Sequence, residues 1–175
     1  PEDNPFVGQK DAIESIWSYG HRNPQGLALH PGTGQLWAAE HGPKGGDELN
    51  HVRKGLNYGW PVITYGINYD GTPITDKTEA EGMEQPQTYW LPSIAVCGID
   101  FYTGEGFGKW QNDLLVTSLK FNRLHRVRME GVEVAHEEIV YEGESRVRDV
   151  QTGPDGAVYL AVEEPGRILR LVPEK

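Results

Sequence analysis

An all-β chain built from propeller-type repeats is the fold class this sequence predicts, on three observations. Its 175 residues include 22 Gly and 12 Pro, spread so widely that long helices have little room. Five Trp and eight Tyr supply enough large apolar surface for a core, which removes the chain from the disordered class. The third observation is an internal repeat. Pro31-Gly32-Thr33-Gly34-Gln35-Leu36-Trp37-Ala38-Ala39-Glu40 matches Pro154-Asp155-Gly156-Ala157-Val158-Tyr159-Leu160-Ala161-Val162-Glu163 in pattern. Each is a turn begun by Pro and closed by Gly, followed by a short apolar strand that ends in an acid.

Strand candidates flank both copies. Gly26–Leu29 and Arg148–Gln151 precede them, and Glu48–Val52 and Arg167–Leu171 follow. A looser central copy runs through Gly98–Tyr102, Leu114–Thr117 and Arg123–Val127. The middle strands start at 36, 114 and 158, and the last spacing, 44 residues, is that of a four-stranded propeller blade. The first spacing, 78, requires a skipped blade or a long insertion, for which residues 61–92, rich in Pro, Gly, Thr and acids, are the candidate. A blade cannot bury both faces alone, so radial stacking is the physical reason for such a repeat. No helix is expected beyond a turn near Lys10–Ser15.

Three blades are not a closed ring. Residues 1–175 are therefore read as the C-terminal part of a single β-propeller domain whose N-terminal blades are absent. The open faces call for a partner, either the chain's own N-terminal half or a second copy. The opening Pro1-Glu2-Asp3-Asn4-Pro5-Phe6 carries neither an initiator Met nor a signal-peptide apolar region, so the chain is read as starting inside something longer. Pro173-Glu174-Lys175, after the last strand, is read as a natural end.

Composition excludes several classes of function. A formal net charge of −10, from 26 acids against 16 bases, repels phosphate backbones and argues against nucleic-acid binding. No apolar run is long enough for a membrane span. One cysteine, Cys97, excludes an internal disulfide framework and a multi-cysteine metal knuckle, and its apolar strand context suits burial. The histidines (21, 30, 41, 51, 125 and 136) show no metal-ligand spacing, and no Gly-x-Ser-x-Gly elbow is present. Nucleophilic hydrolase chemistry is poorly supported.

Several segments could carry chemistry. In Gly20-His21-Arg22-Asn23-Pro24-Gln25-Gly26, a tight turn would hold Arg22 and Asn23 at a strand start, Arg as a carboxylate-matching fork; an ordinary turn reads equally well. Glu40-His41-Gly42-Pro43-Lys44-Gly45-Gly46-Asp47-Glu48 offers backbone carbonyls and carboxylates, the all-oxygen set a hard cation wants, or else a solvated acidic loop. Lys54-Gly55-Leu56-Asn57-Tyr58-Gly59-Trp60-Pro61 and Tyr65-Gly66-Ile67-Asn68-Tyr69-Asp70-Gly71 set aromatics between glycines, for stacking on a flat ligand or for filling between blades. Thr117-Ser118-Leu119-Lys120 ends a strand and Ser145-Arg146-Val147-Arg148-Asp149 opens one, with Arg146 and Arg148 on one side by alternation. Arg22, Lys120, Arg146 and Arg148 at equivalent strand ends would converge on a propeller axis as a polyanion site; the alternative is four unrelated surface charges.

These motifs, in this order, have a counterpart. Gly-His-Arg-Asn-Pro-Gln-Gly-Leu-Ala at 20–28, Glu-His-Gly-Pro at 40–43, Gly-Gly-Asp-Glu-Leu-Asn at 45–50 and Asn-Tyr-Gly-Trp-Pro at 57–61 are joined by Ser-Leu-Lys at 118–120, Arg-Val-Arg-Asp-Val at 146–150 and Gly-Pro-Asp-Gly at 153–156. The chain resembles the C-terminal half of the soluble, pyrroloquinoline-quinone (PQQ)-dependent aldose sugar dehydrogenases, relatives of soluble quinoprotein glucose dehydrogenase, over almost its whole length.

The resemblance implies a six-bladed propeller with the quinone and its calcium at one mouth of the channel. It implies that Arg22, Asn23, Ser118, Leu119, Lys120, Arg146, Val147 and Arg148, with Tyr69 from a variable loop, contact the cofactor. Gly42 and Pro43 match carbonyls that hold the cofactor's calcium, and Glu48 and the Tyr58 carbonyl match a second, structural calcium site. The implied reaction is oxidation of an aldose to a lactone, a His base taking the anomeric hydroxyl proton while hydride passes to the quinone. That base is expected upstream of this chain, with His41 the local alternative. A sugar and an electron acceptor are the implied partners, and the periplasm or the outside is the implied compartment. A non-catalytic propeller module binding protein or glycan is the alternative from another class. A calcium-dependent lactonase is disfavoured by the four cationic side chains.

Overall fold

The structure, a computed structural model, describes residues 1–174. Eleven strands form three antiparallel sheets. The first sheet is β1 (Pro24–Leu29), β2 (Leu36–Glu40), β3 (Asp47–Val52) and β4 (Thr88–Trp90) in simple order. The second is β5 (Val96–Phe101), β6 (Leu114–Ser118), β7 (Arg123–Glu130) and β8 (Glu133–Glu142). The third holds β9 (Val147–Thr152), β10 (Val158–Val162) and β11 (Arg167–Leu171). The expected β-propeller blades are therefore present, stacked face to face.

Two cores hold the stack. Trp37, Ala39, Leu49 and Trp90 of the first sheet pack against Val96, Ile99, Phe101, Leu114 and Val116 of the second. On the other face of the second sheet, Leu115 and Leu124 meet Val147, Val150, Val158 and Leu160 of the third. The middle sheet is buried on both faces, so β6, Leu-Leu-Val-Thr-Ser, is buried throughout and shows no alternation. Exposed apolar side chains stand on the outer sheets, Leu27 at 64% and Ile168 at 67% exposure. The inner strands crowd one another. A Cβ on Gly26 would lie 2.4 Å from the Cys97 carbonyl oxygen, and one on Gly98 would lie 2.2 Å from an Asp149 carboxylate oxygen. Only glycine allows the three strands to approach so closely.

Some sequence expectations need correction. The segment 61–92, read as pure insertion, ends in a strand, because Thr88–Trp90 completes the first sheet on β3. Three residues are too few to display a period, and Pro86 and Pro92 mask them. The acid-rich β8, which pairs with β7 over its length, was not anticipated, since Glu is a poor strand former. Lys10–Ser15 forms turns, as expected, and a single 3-10 turn occurs at Gly108–Trp110 among the described residues.

Candidate functional site

One end of the three sheets gathers the residues in question. In each sheet the start of the inner strand faces the end of the middle strand: Pro24 opposite Glu40, Val96 opposite Ser118, Val147 opposite Val162. At that level each inner strand carries one extra residue, Gln25 in β1, one between Val96 and Ile99 in β5, and Arg148 in β9. Such bulges bend a strand and re-aim its side chains. Strict alternation therefore does not govern Arg148, and Arg148 and Asp149 are exposed in succession.

At the first sheet the organising group is Glu40, only 3% exposed. One carboxylate oxygen accepts the backbone N–H groups of Arg22 (2.7 Å) and Asn23 (3.3 Å). The other accepts His21 Nδ1–H and Asn50 Nδ2–H, both at 2.9 Å. Arg22 sends Nη1–H to the His41 carbonyl at 3.0 Å and lies 5.3 Å over the Trp60 ring. The Asn23 side chain accepts a hydrogen bond from Gln25. Glu48 receives one hydrogen bond, from Asn50. Burial pushes its carboxyl up to about 7, the Asn50 bond pulls the other way, and the nearby Glu40 charge adds to the rise. A small hollow lined by Arg22, Glu40, His41, Glu48, Tyr58 and Trp60 lies here.

The loop after β2 leads to a larger cavity of about 460 Å³, lined by residues that include His41, Gly42, Pro43, Tyr69, Ser93 and Lys120. Fully buried Asp47 shapes this loop, accepting Gly42 N–H (3.0 Å), Ser93 Oγ–H (2.8 Å) and Val96 N–H (3.3 Å). It thereby ties the loop to the second sheet. The His41 ring does the same, donating Nε2–H to the Val96 carbonyl. Among the described residues the Gly42 and Pro43 carbonyls accept no hydrogen bond. At the end of β6, Ser118 Oγ–H and Lys120 N–H both donate to the Ile94 carbonyl and Leu119 N–H donates to that of Ala95. The Ser118 and Leu119 side chains are buried, which leaves them only backbone to offer a ligand, whereas Lys120 lines the cavity, its ammonium 5.1 Å from the centre of the Phe121 ring.

The third sheet supplies Arg146 and Arg148. Arg148 donates Nε–H to Glu163 at 2.9 Å and also Nη2–H to the same oxygen. Arg146 Nε stands 3.7 Å from the other Glu163 oxygen. Val147 between them is buried in the second core cluster and faces away from both arginines.

The candidates thus fall into three groups at one end of the stack. Gly42, Pro43, Tyr69 and Lys120 share the larger cavity; Arg22, Glu48 and Tyr58 share the smaller hollow; His41 and Gly42 border both. Asn23, Ser118, Leu119, Arg146, Val147 and Arg148 line neither. Sequence reasoning did not single out Asp47 or Glu163, or Glu40 as the anchor of Arg22; the acid ending two of the repeated strands was the available signal. No cluster of three or more His, Cys, Asp or Glu able to hold a metal exists among the described residues. A metal here would rest largely on carbonyl oxygens.

Residues 1–170 match the pattern of the Glucose / Sorbosone dehydrogenase family. The chain belongs to that family. It is 45% identical to the aldose sugar dehydrogenase YliI of Escherichia coli over 177 residues, covering 99% of this chain and 48% of that protein. A crystal structure of a glucose dehydrogenase superposes with a TM-score of 0.96 at 46% identity, covering 99% of this chain and 51% of the other. The PQQ-bound form of aldose sugar dehydrogenase from Streptomyces coelicolor gives a TM-score of 0.72 at 30% identity, over 98% of this chain and 48% of the other. As a member of the Glucose / Sorbosone dehydrogenase family, this chain spans about half the length of the relatives it matches.

Proposed function

We propose that this chain is the cofactor-binding half of a PQQ- and calcium-dependent dehydrogenase that oxidises aldose sugars to lactones. The observation that carries this reading is the cavity bordered by Lys120, Tyr69 and the hydrogen-bond-free Gly42 and Pro43 carbonyls, at the end of the stack where Arg22, Arg146 and Arg148 also stand. The residues present fit the group. A volume of about 460 Å³ lies within the range of small-ligand sites. Guanidinium and ammonium groups suit a guest with three carboxylates, and free carbonyls suit a hard cation. Glu48, whose buried carboxyl is pushed up to about 7, lines the smaller hollow together with Tyr58 and fits a second cation that would relieve the buried charge.

When bound, the quinone would accept hydride from the sugar's anomeric carbon, with calcium polarising its carbonyl as a Lewis acid. This chain's own residues bind and orient. Arg22, Arg146, Arg148 and Lys120 would neutralise the carboxylates, Tyr69 lines the cavity, and Asp47 and His41 fix the loop that carries Gly42 and Pro43. Proton abstraction is assigned to a residue outside this chain, with His41 the local alternative. His21 has both ring nitrogens engaged, by Glu40 and Ser18, whereas His41 donates Nε2–H to Val96 and keeps its Nδ1 lone pair. The outer sheets, with Leu27, Leu29 and Ile168 exposed, would be covered by further blades of the same propeller. No helix among the described residues is long and apolar enough to cross a membrane. The periplasm or the exterior, where calcium is plentiful, is the expected compartment, and the second substrate an electron acceptor.

Reconstitution tests the reading. The full-length protein that carries this chain together with its remaining blades, loaded with PQQ and calcium chloride, should reduce a dye only when an aldose is added, and chelation should abolish that. Dye reduction independent of sugar, or none, would refute it.

A further inference from the structure

Resting on the cofactor reading above, we propose that Glu163 is the positioning residue of the two-arginine side of the anion site: it holds Arg148, and through charge Arg146, in the attitude that meets a carboxylate guest.

The argument starts from the bulge in β9. Arg148 is the extra residue opposite Ala161 and Val162, so the ladder leaves its direction unfixed. A long, 42%-exposed side chain at such a place would sample many rotamers and lose that freedom on binding. Glu163 removes the freedom beforehand. It follows β10 directly, and its N–H donates to the Arg146 carbonyl at 3.1 Å, which seats its backbone against β9. Its Oε1 then takes Nε–H and Nη2–H of Arg148 together, occupying one edge of the guanidinium fork. The opposite edge, Nη1–H with the outer Nη2–H, makes no hydrogen bond to oxygen or nitrogen among the described residues, although the Cys97 thiol adjoins the guanidinium, and it is the edge that could engage a carboxylate in a two-pronged pair. Arg146 donates no side-chain hydrogen bond, and its Nε lies 3.7 Å from the second Glu163 oxygen. Two cations two residues apart repel each other, and the shared carboxylate offsets that repulsion. The pairs are solvent-exposed, so their contribution to folding is small. Their effect is expected in ligand affinity.

Titration of the protein with PQQ in calcium-containing buffer, followed by tryptophan quenching, separates the possibilities. Glu163→Gln should weaken PQQ binding by about tenfold, the scale of one charge-assisted hydrogen bond, with an unchanged melting temperature. Glu163→Asp, which keeps the charge, should recover part of the loss. Equal or tighter binding by Glu163→Gln would overturn the proposal, tighter binding meaning that Glu163 competes with the guest. A loss of affinity that appears only with a lowered melting temperature would also overturn it. No binding by the unaltered protein would remove the cofactor reading itself, and this inference with it, whereas binding unaffected by Glu163→Gln would leave that reading standing.

Discussion

Glu40 and Glu163 close matching ten-residue stretches of sequence, yet one lies sealed in the stack and the other stands at its edge in solvent. The strand registers explain the difference. Leu36 opens β2 opposite Leu29 and Val52, and Val158 opens β10 opposite Thr152 and Leu171. Counted from there, Glu40 is the counterpart of Val162, and Glu163 the counterpart of His41. The turn before β2 is one residue longer than the turn before β10, and a one-residue offset sends a side chain to the other face. Glu40 consequently meets four inward-facing donors and fixes backbone, while Glu163 meets two guanidinium groups and fixes side chains. A repeat visible in letters does not guarantee equivalent environments; turn length decides.

Four outcomes would break or sharpen that contrast. Glu40→Ala leaves buried donors from His21, Arg22, Asn23 and Asn50 without their acceptor and should cost about 3–5 kcal/mol in urea unfolding. A loss under 1 kcal/mol would show the network to be dispensable. Val162→Glu puts a carboxylate at the register position of Glu40, but against the second apolar cluster and without Glu40's four donors, and should cost about 3 kcal/mol by the same measurement.

The seams between sheets should respond to pH in opposite directions. At the first seam burial raises the Glu137 carboxyl, but hydrogen bonds from His125 and Trp90 more than offset this and hold it below its ordinary value. Stability from that tie is present above the unfolded value of 4.5 and is lost as pH falls through the lower folded value. At the second seam burial raises Asp100 despite its hydrogen bonds from Thr152. Its stabilising share is fullest below the unfolded 3.8 and declines as pH rises through the folded value. Amide protection factors, corrected for the intrinsic pH dependence of exchange, should fall around Trp90 on acidification and rise around Thr152; parallel changes would contradict the assignment. The smallest effect belongs to Glu163→Ala, expected to change unfolding free energy by less than about 1 kcal/mol because its pairs are exposed.

Much of the fold was legible because apolar middle strands and Pro–Gly turns recur at a blade-like spacing. The outer strands were not legible: β4 is too short to show a period, and β8 is held by pairing to β7 against its Glu content. The basic candidates could be named from motifs, and the start-of-inner against end-of-middle pairing puts all four at one end. What holds them there could not be read. Asp47 draws donors from positions 42, 93 and 96, and Glu163 reaches back to 146 and 148, so both roles depend on contacts that exist only after the sheets stack.

The central claim is that cationic groups on three separate sheets serve one guest, and equilibrium titration with PQQ in the presence of calcium tests it most directly. The account predicts one PQQ per chain, with Arg22→Ala, Lys120→Ala and Arg148→Ala each weakening that single event by about tenfold or more. Binding that none of the three alters, or that only one of them alters, would contradict it.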